Sequence, residues 1–256
     1  ADANALHIVI VAGMHSNSTL VLDHIGQGVL GENIEIVLQD GANLNFVTIQ
    51  EWEKGSSHVS AQFAKLGRDS NLKHVVVSLG GDVVRVTPSV ELSSPGAEVN
   101  MYGVYLANTG NFFEHRPYVD HIAPNCVSNV AYKGALQGAG AHTVWVGDVL
   151  IRETATGTST YELNRNLLLT DGARADSVPN LEIETGKIEG AGHASASGRF
   201  DDEQLFYLQA RGISESEARR LVVRGFLSEL IQKVGVAEVE ERLIAAVELE
   251  LEKAGV

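Results

Sequence analysis

Short apolar runs recur from Leu6 to about residue 186, and they constrain this chain more than any other feature. They read "LHIVIVA", "TLVLD", "IEIVL", "NLNFVTIQ", "HVVVSLG", "VNMYGVYLA", "HTVWVGDVLI", "NLLLTD" and "NLEIE". Each holds about four to eight residues rich in Val, Ile, Leu and Thr, bounded by Gly, Asn, Asp or Ser, which is the pattern of strands between turns. No amphipathic helix of ten or more residues interrupts them, so alternation of strands and helices is excluded and this part of the chain is all-β. A sandwich, a barrel and a β-helix remain. Hairpin signals are scarce, with only "QDGANL" as an ambiguous one. Strands near ten-residue spacing, with Gly and Asn at the corners, favour a solenoid in which each rung stacks on the last, with a sandwich as the competing arrangement. The 26 glycines and the 6% aromatic content suit tight turns and layered aliphatic side chains. A strict hexapeptide period is absent, so the left-handed acyltransferase solenoid is excluded.

From Asp201 the pattern changes. "DDEQLFYLQARG" carries acids in its first turn, where they complement the helix dipole, and ends on Gly212 as a C-cap. Ser214 and Glu217 form a capping box for a second helix, whose Val223, Phe226, Leu227, Leu230, Ile231 and Val234 recur at helical spacing up to Gly235. A third helix from about Val236 places Val239, Leu243, Val247 and Leu251 on one face. The expected organisation is a β-helix core over residues 1–200 and a C-terminal helical domain over 201–256. So small a helical unit is marginal alone and should lean on the solenoid or on another protein.

The chain of 256 residues has 33 acidic and 19 basic side chains, a formal net charge of −14. That charge repels phosphate backbones and anionic membrane surfaces, and no basic stripe offsets it, so neither nucleic acid nor membrane is an expected partner. The single cysteine, Cys126, rules out an internal disulfide and points to a reducing, cytoplasmic compartment. No apolar run approaches the roughly 18 residues of a membrane-spanning helix. The opening "ADANALHIVIVAG" lacks a basic n-region and enters strand-like sequence at once, so it is expected to be the cut edge of a longer protein and not a signal peptide.

Nine histidines are scattered along the chain, and none forms a His-x-His or His-x-x-x-His pair. Sequence proximity therefore offers no closed zinc site, although distant ligands can converge in space. Cys126 in a β-rich run reads first as a small buried residue and only second as a nucleophile. "LGGD" at 79–82 lacks the Lys and the following helix of a phosphate loop. His193, in "IEGAGHASASGRF", stands among small residues just before the helices begin. One reading is a turn histidine bonded to backbone. The other is a ligand at an interface, since imidazole is a borderline donor that iron accepts and small neighbours let another chain approach closely.

Two stretches favour the second of these readings. "NRNLLLTDGARADSVPNLEIETGKIEGAGHASASGRFDDEQLFYLQARGISESEARRLVVRGFLSELI" strongly resembles the C-terminal signature of the SufB/SufD family of iron–sulfur cluster assembly scaffolds. "HIAPNCVSNVAYKGALQGAGAHTVWVG" is similar to the family's solenoid core. The resemblance implies a right-handed parallel β-helix followed by a helical domain; the helical region that usually precedes the solenoid in the family is expected to be lacking here. In the SufB type a Cys lies on the strand before the "LLL" run and a Glu follows the motif histidine. Here Glu162 to Asn166 holds no Cys and Ala194 follows His193, so the resemblance is to the SufD type. Ala191 stands where many relatives have a Cys, so no thiol role transfers.

The resemblance implies a non-catalytic scaffold subunit, with no catalytic or cofactor-binding residues of its own. It would pair with a SufB-type paralogue and a SufC-type ATPase in the cytoplasm. His193 would be a ligand of iron or of the nascent iron–sulfur cluster at the partner interface. No cofactor is expected in the isolated chain, which is expected to form a homodimer through strand edges near Leu167 to Leu169 and Leu181 to Ile183. Arg220 and Arg224 would contact the ATPase. Without the resemblance they read as a solvated helix face making i,i+4 pairs with nearby glutamates. The alternatives are a SufB-type paralogue, a polysaccharide-active β-helix enzyme with converging carboxylates, and a purely structural solenoid.

Overall fold

The computed structural model describes residues 3–199 and 202–253 and shows two parallel sheets that face each other across one core. The chain alternates between them, which is the topology of a β-helix. One sheet stacks β1 (Ala3–Ala12), β3 (Val29–Leu38), β5 (Ser57–Leu66), β7 (Val83–Leu92), the broken pair β9 (Phe112–His115) and β10 (Tyr118–His121), β12 (His142–Ile151) and β14 (Arg174–Ile183). The other stacks β2 (Asn17–Gly26), β4 (Asn43–Trp52), β6 (Asn71–Ser78), β8 (Glu98–Ala107), β11 (Val127–Leu136), β13 (Ser159–Leu168) and β15 (Gly190–Arg199). The β-helix is thus the arrangement adopted, and the sandwich is set aside. Most strands are ten residues long, longer than the apolar runs that announce them, because ladder bonding carries the polar flanks into the strands.

The corners explain the Gly, Asn and Asp punctuation. His15, Gly41, Asp69, Gly96, Asn125 and Gly157 form one column with positive φ, from 52° to 74°. Each donates its N–H to a carbonyl of the next rung, as in Gly41 to Arg68 at 2.8 Å and Gly157 to Lys187 at 2.7 Å. Gly, Asn, Asp and His are the residues that tolerate this left-handed region. The interior between the sheets is filled by alternating inward residues such as Ile34, Ile36, Leu38, Val84, Val86, Phe113, Tyr132 and Trp145.

Three helices follow: α1 (Asp202–Gln209), α2 (Glu215–Ile231) and α3 (Ala237–Lys253). Asp201, where sequence places the change of pattern, lies outside the described residues. Gly212 has φ +86° beyond α1, and Ser214 Oγ accepts from the Glu217 N–H at the start of α2. α2 and α3 lie on the outer face of the second sheet, and α1 packs against α2. Val223, Leu227, Leu230 and Ile231 of α2, with Leu243, Val247 and Leu251 of α3, bury Val47, Ile49, Val75, Val77, Val104 and Leu106. This is why "NFVTI" and "HVVVS" are continuous apolar runs: strands covered on both faces lose the inside–outside alternation. Lys133, almost fully buried, bonds the Phe226 carbonyl and Glu229 from beneath α2, and Asn45 Nδ2 donates to the Val234 carbonyl at 2.7 Å.

Gly225 sits on the exposed side of α2, and a Cβ added there would meet no neighbouring atom within 4 Å. Gly225→Ala should therefore stabilise the chain by up to about 1 kcal/mol, the helix-propensity difference. Urea unfolding checks it, and a loss of stability would show that a side chain does not fit there.

Candidate functional site

His193 lies in strand β15 and not in a turn. Its residues, "GAGHASASGR", carry almost no intrinsic strand preference, so little in the local sequence announces it. The ladder to β13 makes the strand, pairing Ser159 with Gly190 through Leu168 with Arg199. β15 is the last strand of its sheet, and the imidazole is 44% exposed there. In this register His193 stands directly opposite Glu162, with Nδ1 3.6 Å from Glu162 Oε1.

Glu162 is buried, with a side chain only 1% exposed. Neither of its oxygens has a hydrogen-bond partner among the described residues, and the same holds for Trp145 Nε1 and Tyr132 Oη nearby in the core. Gly147 leaves the space that Glu162 and the Trp145 ring occupy together, since a Cβ there would collide with both. The other inward residues of β13 are satisfied. Asn164 Nδ2 donates to Tyr105 Oη at 2.9 Å, Tyr105 Oη donates to Asn166 Oδ1 at 2.6 Å, and Asn166 Nδ2 reaches Ser197 Oγ of β15 at 3.2 Å. Thr160 Oγ1 meets Ser128 Oγ at 2.6 Å, and Ser128 meets His121 Nε2 at 2.8 Å. A rigid polar floor therefore runs under β15, with one orphaned carboxyl beneath the exposed imidazole.

Burial, reinforced by the charge of Asp148, pushes the Glu162 carboxyl up to about 8. The unfolded carboxyl ionises near 4.5, so between these values the folded chain holds a proton that the unfolded chain has lost. Stability contributed by this group is accordingly full below about 4.5 and falls as pH rises towards 8. Glu162→Gln removes that loss. From pH 5 to pH 8 the variant should gain on the order of 1–3 kcal/mol over the parent chain, read by urea unfolding in EDTA. Parallel pH profiles for the two chains would contradict the assignment.

The remaining site residues fall elsewhere. Arg220 and Arg224 do not make the i,i+4 pairs of the helix-face reading. They bridge α2 to α3, Arg220 to Glu252 at 3.2 Å and Arg224 to Glu248 at 2.8 Å. Cys126 is buried, its Sγ 3.3 Å from the Ser94 carbonyl oxygen, and burial raises the thiol above its ordinary range. Leu167 and Leu168 lie in β13, which has a strand on each side, and Leu169 is buried with the helices. The Leu167–Leu169 stretch is therefore no edge, and β15 takes that place. Leu181–Ile183 does lie on an end strand, β14. Sequence reasoning does not single out Glu162. Its signal is the period-two row Thr160, Glu162, Asn164, Asn166, which puts four polar side chains on the inward face of one strand.

Chemically, His193 offers an imidazole nitrogen open to the outside, and Glu162 offers a carboxyl held ready behind it. Two donors do not close a four-coordinate metal site, but they fit part of one completed from outside.

No helix among the described residues is long and apolar enough to cross a membrane. Residues 1–226 match the family model described as SUF system FeS cluster assembly, SufBD core domain. An iron–sulfur cluster assembly SufBD family protein of Mycobacterium tuberculosis is 58% identical over 241 residues, covering 92% of this chain and 61% of the relative. One from Mycobacterium leprae is 55% identical over 251 residues, covering 96% and 64%. A more distant SufBD family protein of Mycobacterium bovis is 26% identical over 221 residues, 86% of this chain and 26% of the relative. The chain thus spans less than two thirds of the length of these relatives. The two-sheet solenoid, the signature stretch around His193 and these matches agree: the chain belongs to the SufBD family of iron–sulfur cluster assembly proteins.

Proposed function

We propose that this chain is a SufD-type scaffold subunit, without catalytic chemistry of its own, that works in the cytoplasm with a SufB-type paralogue and a SufC-type ATPase. The observation that carries the reading is the half-site on β15: an exposed His193 over an orphaned Glu162, on the end strand of a sheet whose outer edge is open. Iron or a nascent cluster, as the cargo, would be held between this imidazole and ligands from the paralogue. The SufD type over the SufB type is supported by the lack of Cys between Glu162 and Asn166, and by Ala194 after His193. The ATPase would take the helical surface, where Phe206 and Tyr207 of α1 and Leu221 of α2 are exposed and Arg220 and Arg224 remain partly open.

Co-expression with a SufB-type and a SufC-type protein of the same organism tests the reading. The three should co-elute, and Arg220→Glu with Arg224→Glu should weaken retention of the ATPase while the paralogue stays bound. Elution of the chain alone would refute the proposal. Without partners, the chain should self-associate through the same end. β14 and β15 leave unpaired backbone groups there, and a two-fold contact lets identical edges meet. Light scattering at micromolar concentration should report a dimer, and a monomer would count against the edge assignment.

A further inference from the structure

At the opposite end of the solenoid from β15, three buried side chains converge: His24 of β2, Glu32 of β3 and His58 of β5. Their donor atoms all lie within 4.8 Å of one another. His24 Nε2 is 2.9 Å from Glu32 Oε1, and His58 Nε2 is 3.4 Å from Glu32 Oε2. Ser60 Oγ donates to Oε2 at 2.7 Å, and the Trp52 ring stands 5.7 Å from His24 and 5.5 Å from His58.

The hydrogen bonds within this cluster leave it incompletely satisfied. His24 Nδ1 faces the Ile49 carbonyl oxygen at 3.1 Å, and a carbonyl only accepts, so Nδ1 carries the hydrogen. In the neutral ring Nε2 is then a lone pair aimed at a carboxylate oxygen that also has only lone pairs. A proton on Nε2 would satisfy that one contact. It would leave His58, fully buried, with Nδ1 unpartnered among the described residues and Nε2 only at a long 3.4 Å from the same carboxylate. One metal ion satisfies all three side chains at once. The separations of 2.9 and 3.4 Å, one to each carboxylate oxygen, are short enough for the carboxylate to share an ion with both imidazoles at roughly 2.0–2.2 Å. The Nδ1 bond to Ile49 is the outer contact that orients a metal-binding imidazole and fixes its tautomer.

We propose that His24, Glu32 and His58 bind one divalent transition-metal ion, Zn2+ or Fe2+, at a site separate from His193. Two imidazoles and one carboxylate favour these ions over Mg2+, which takes oxygen ligands. The ion would tie the two sheets together near the end of the stack, since His24 belongs to one sheet and Glu32 and His58 to the other.

The test uses the full chain, stripped with EDTA and then exposed anaerobically to Zn2+, Fe2+ or Mg2+ at about 10 μM. Bound metal is measured by atomic emission after gel filtration. One equivalent of Zn2+ or Fe2+ should be retained, and Mg2+ should not. His193→Ala should keep that equivalent, whereas Glu32→Gln and His58→Gln should lose it. Zinc should also raise the melting temperature of the parent chain but not of the two site variants. If those variants do not fold, Co2+ added to the His193→Ala chain decides: a d–d band several-fold more intense than that of aqueous Co2+ supports the site, and a spectrum no stronger than that of the free ion overturns it. Retention of no metal by the parent chain, or equal retention by the site variants, would also overturn the proposal.

Discussion

Gly134→Ala should destabilise the solenoid by about 3 kcal/mol, near the top of the usual overpacking range. Gly134 of β11 pairs across the ladder with Tyr105 of β8, and Tyr132 of β11 pairs with Gly103 of β8, so each ring lies over the other strand's glycine. A Cβ at residue 134 would fall inside the Tyr105 ring, and one at residue 103 inside the Tyr132 ring. Tyr105 has nowhere to go. It is buried, its Oη is held by Asn164 and Asn166, and its ring stacks on His115 at a centroid distance of 4.9 Å. Moving it would also release the polar floor beneath His193. Gly198 of β15, where a Cβ meets nothing within 4 Å, provides the control, and its change to Ala should cost little. Chemical denaturation of both variants checks the prediction. A loss below about 1 kcal/mol for Gly134→Ala would mean that the rings can shift after all.

The same packing shows what could be read from sequence. The apolar runs and their Gly, Asn and Asp corners carried the solenoid, because the left-handed corner column admits few residue types. The helices were legible from caps and periodicity, and the sheet face they cover was written in the unalternating "HVVVS" and "NFVTI". β15 was not legible, since its Gly, Ala and Ser residues become a strand only through the β13 ladder. Glu162 gained its meaning from register, which set it under His193. His24 and His58 lie on different sheets, so no spacing along the chain announces that they meet. The Arg220 and Arg224 pairs likewise needed the α2–α3 packing, because their partners come from another helix.

His193→Ala has the other large expected effect, on cargo and not on stability. The side chain is 44% exposed, and its nearest acidic neighbour, at 3.6 Å, is beyond hydrogen-bond length. Its removal should therefore change folding stability by no more than about 0.5 kcal/mol. Assembly with the proposed paralogue and ATPase should persist, since one side chain is a small part of an interface spread over many residues. The nitrogen proposed to hold the cargo, however, has no substitute in alanine, and Glu162 behind it would not complete such a site alone. A Cys in its place restores a soft donor and should recover part of the loss.

The most direct measurement is anaerobic determination of iron and acid-labile sulfide per assembled complex, with the parent chain and with His193→Ala, beside the unfolding curves of the two isolated chains. The account predicts matching unfolding curves, equal recovery of the complex, and a several-fold fall in iron and sulfide for the variant. Full iron and sulfide in the His193→Ala complex, or a fall only in proportion to lost stability or lost assembly, would contradict it.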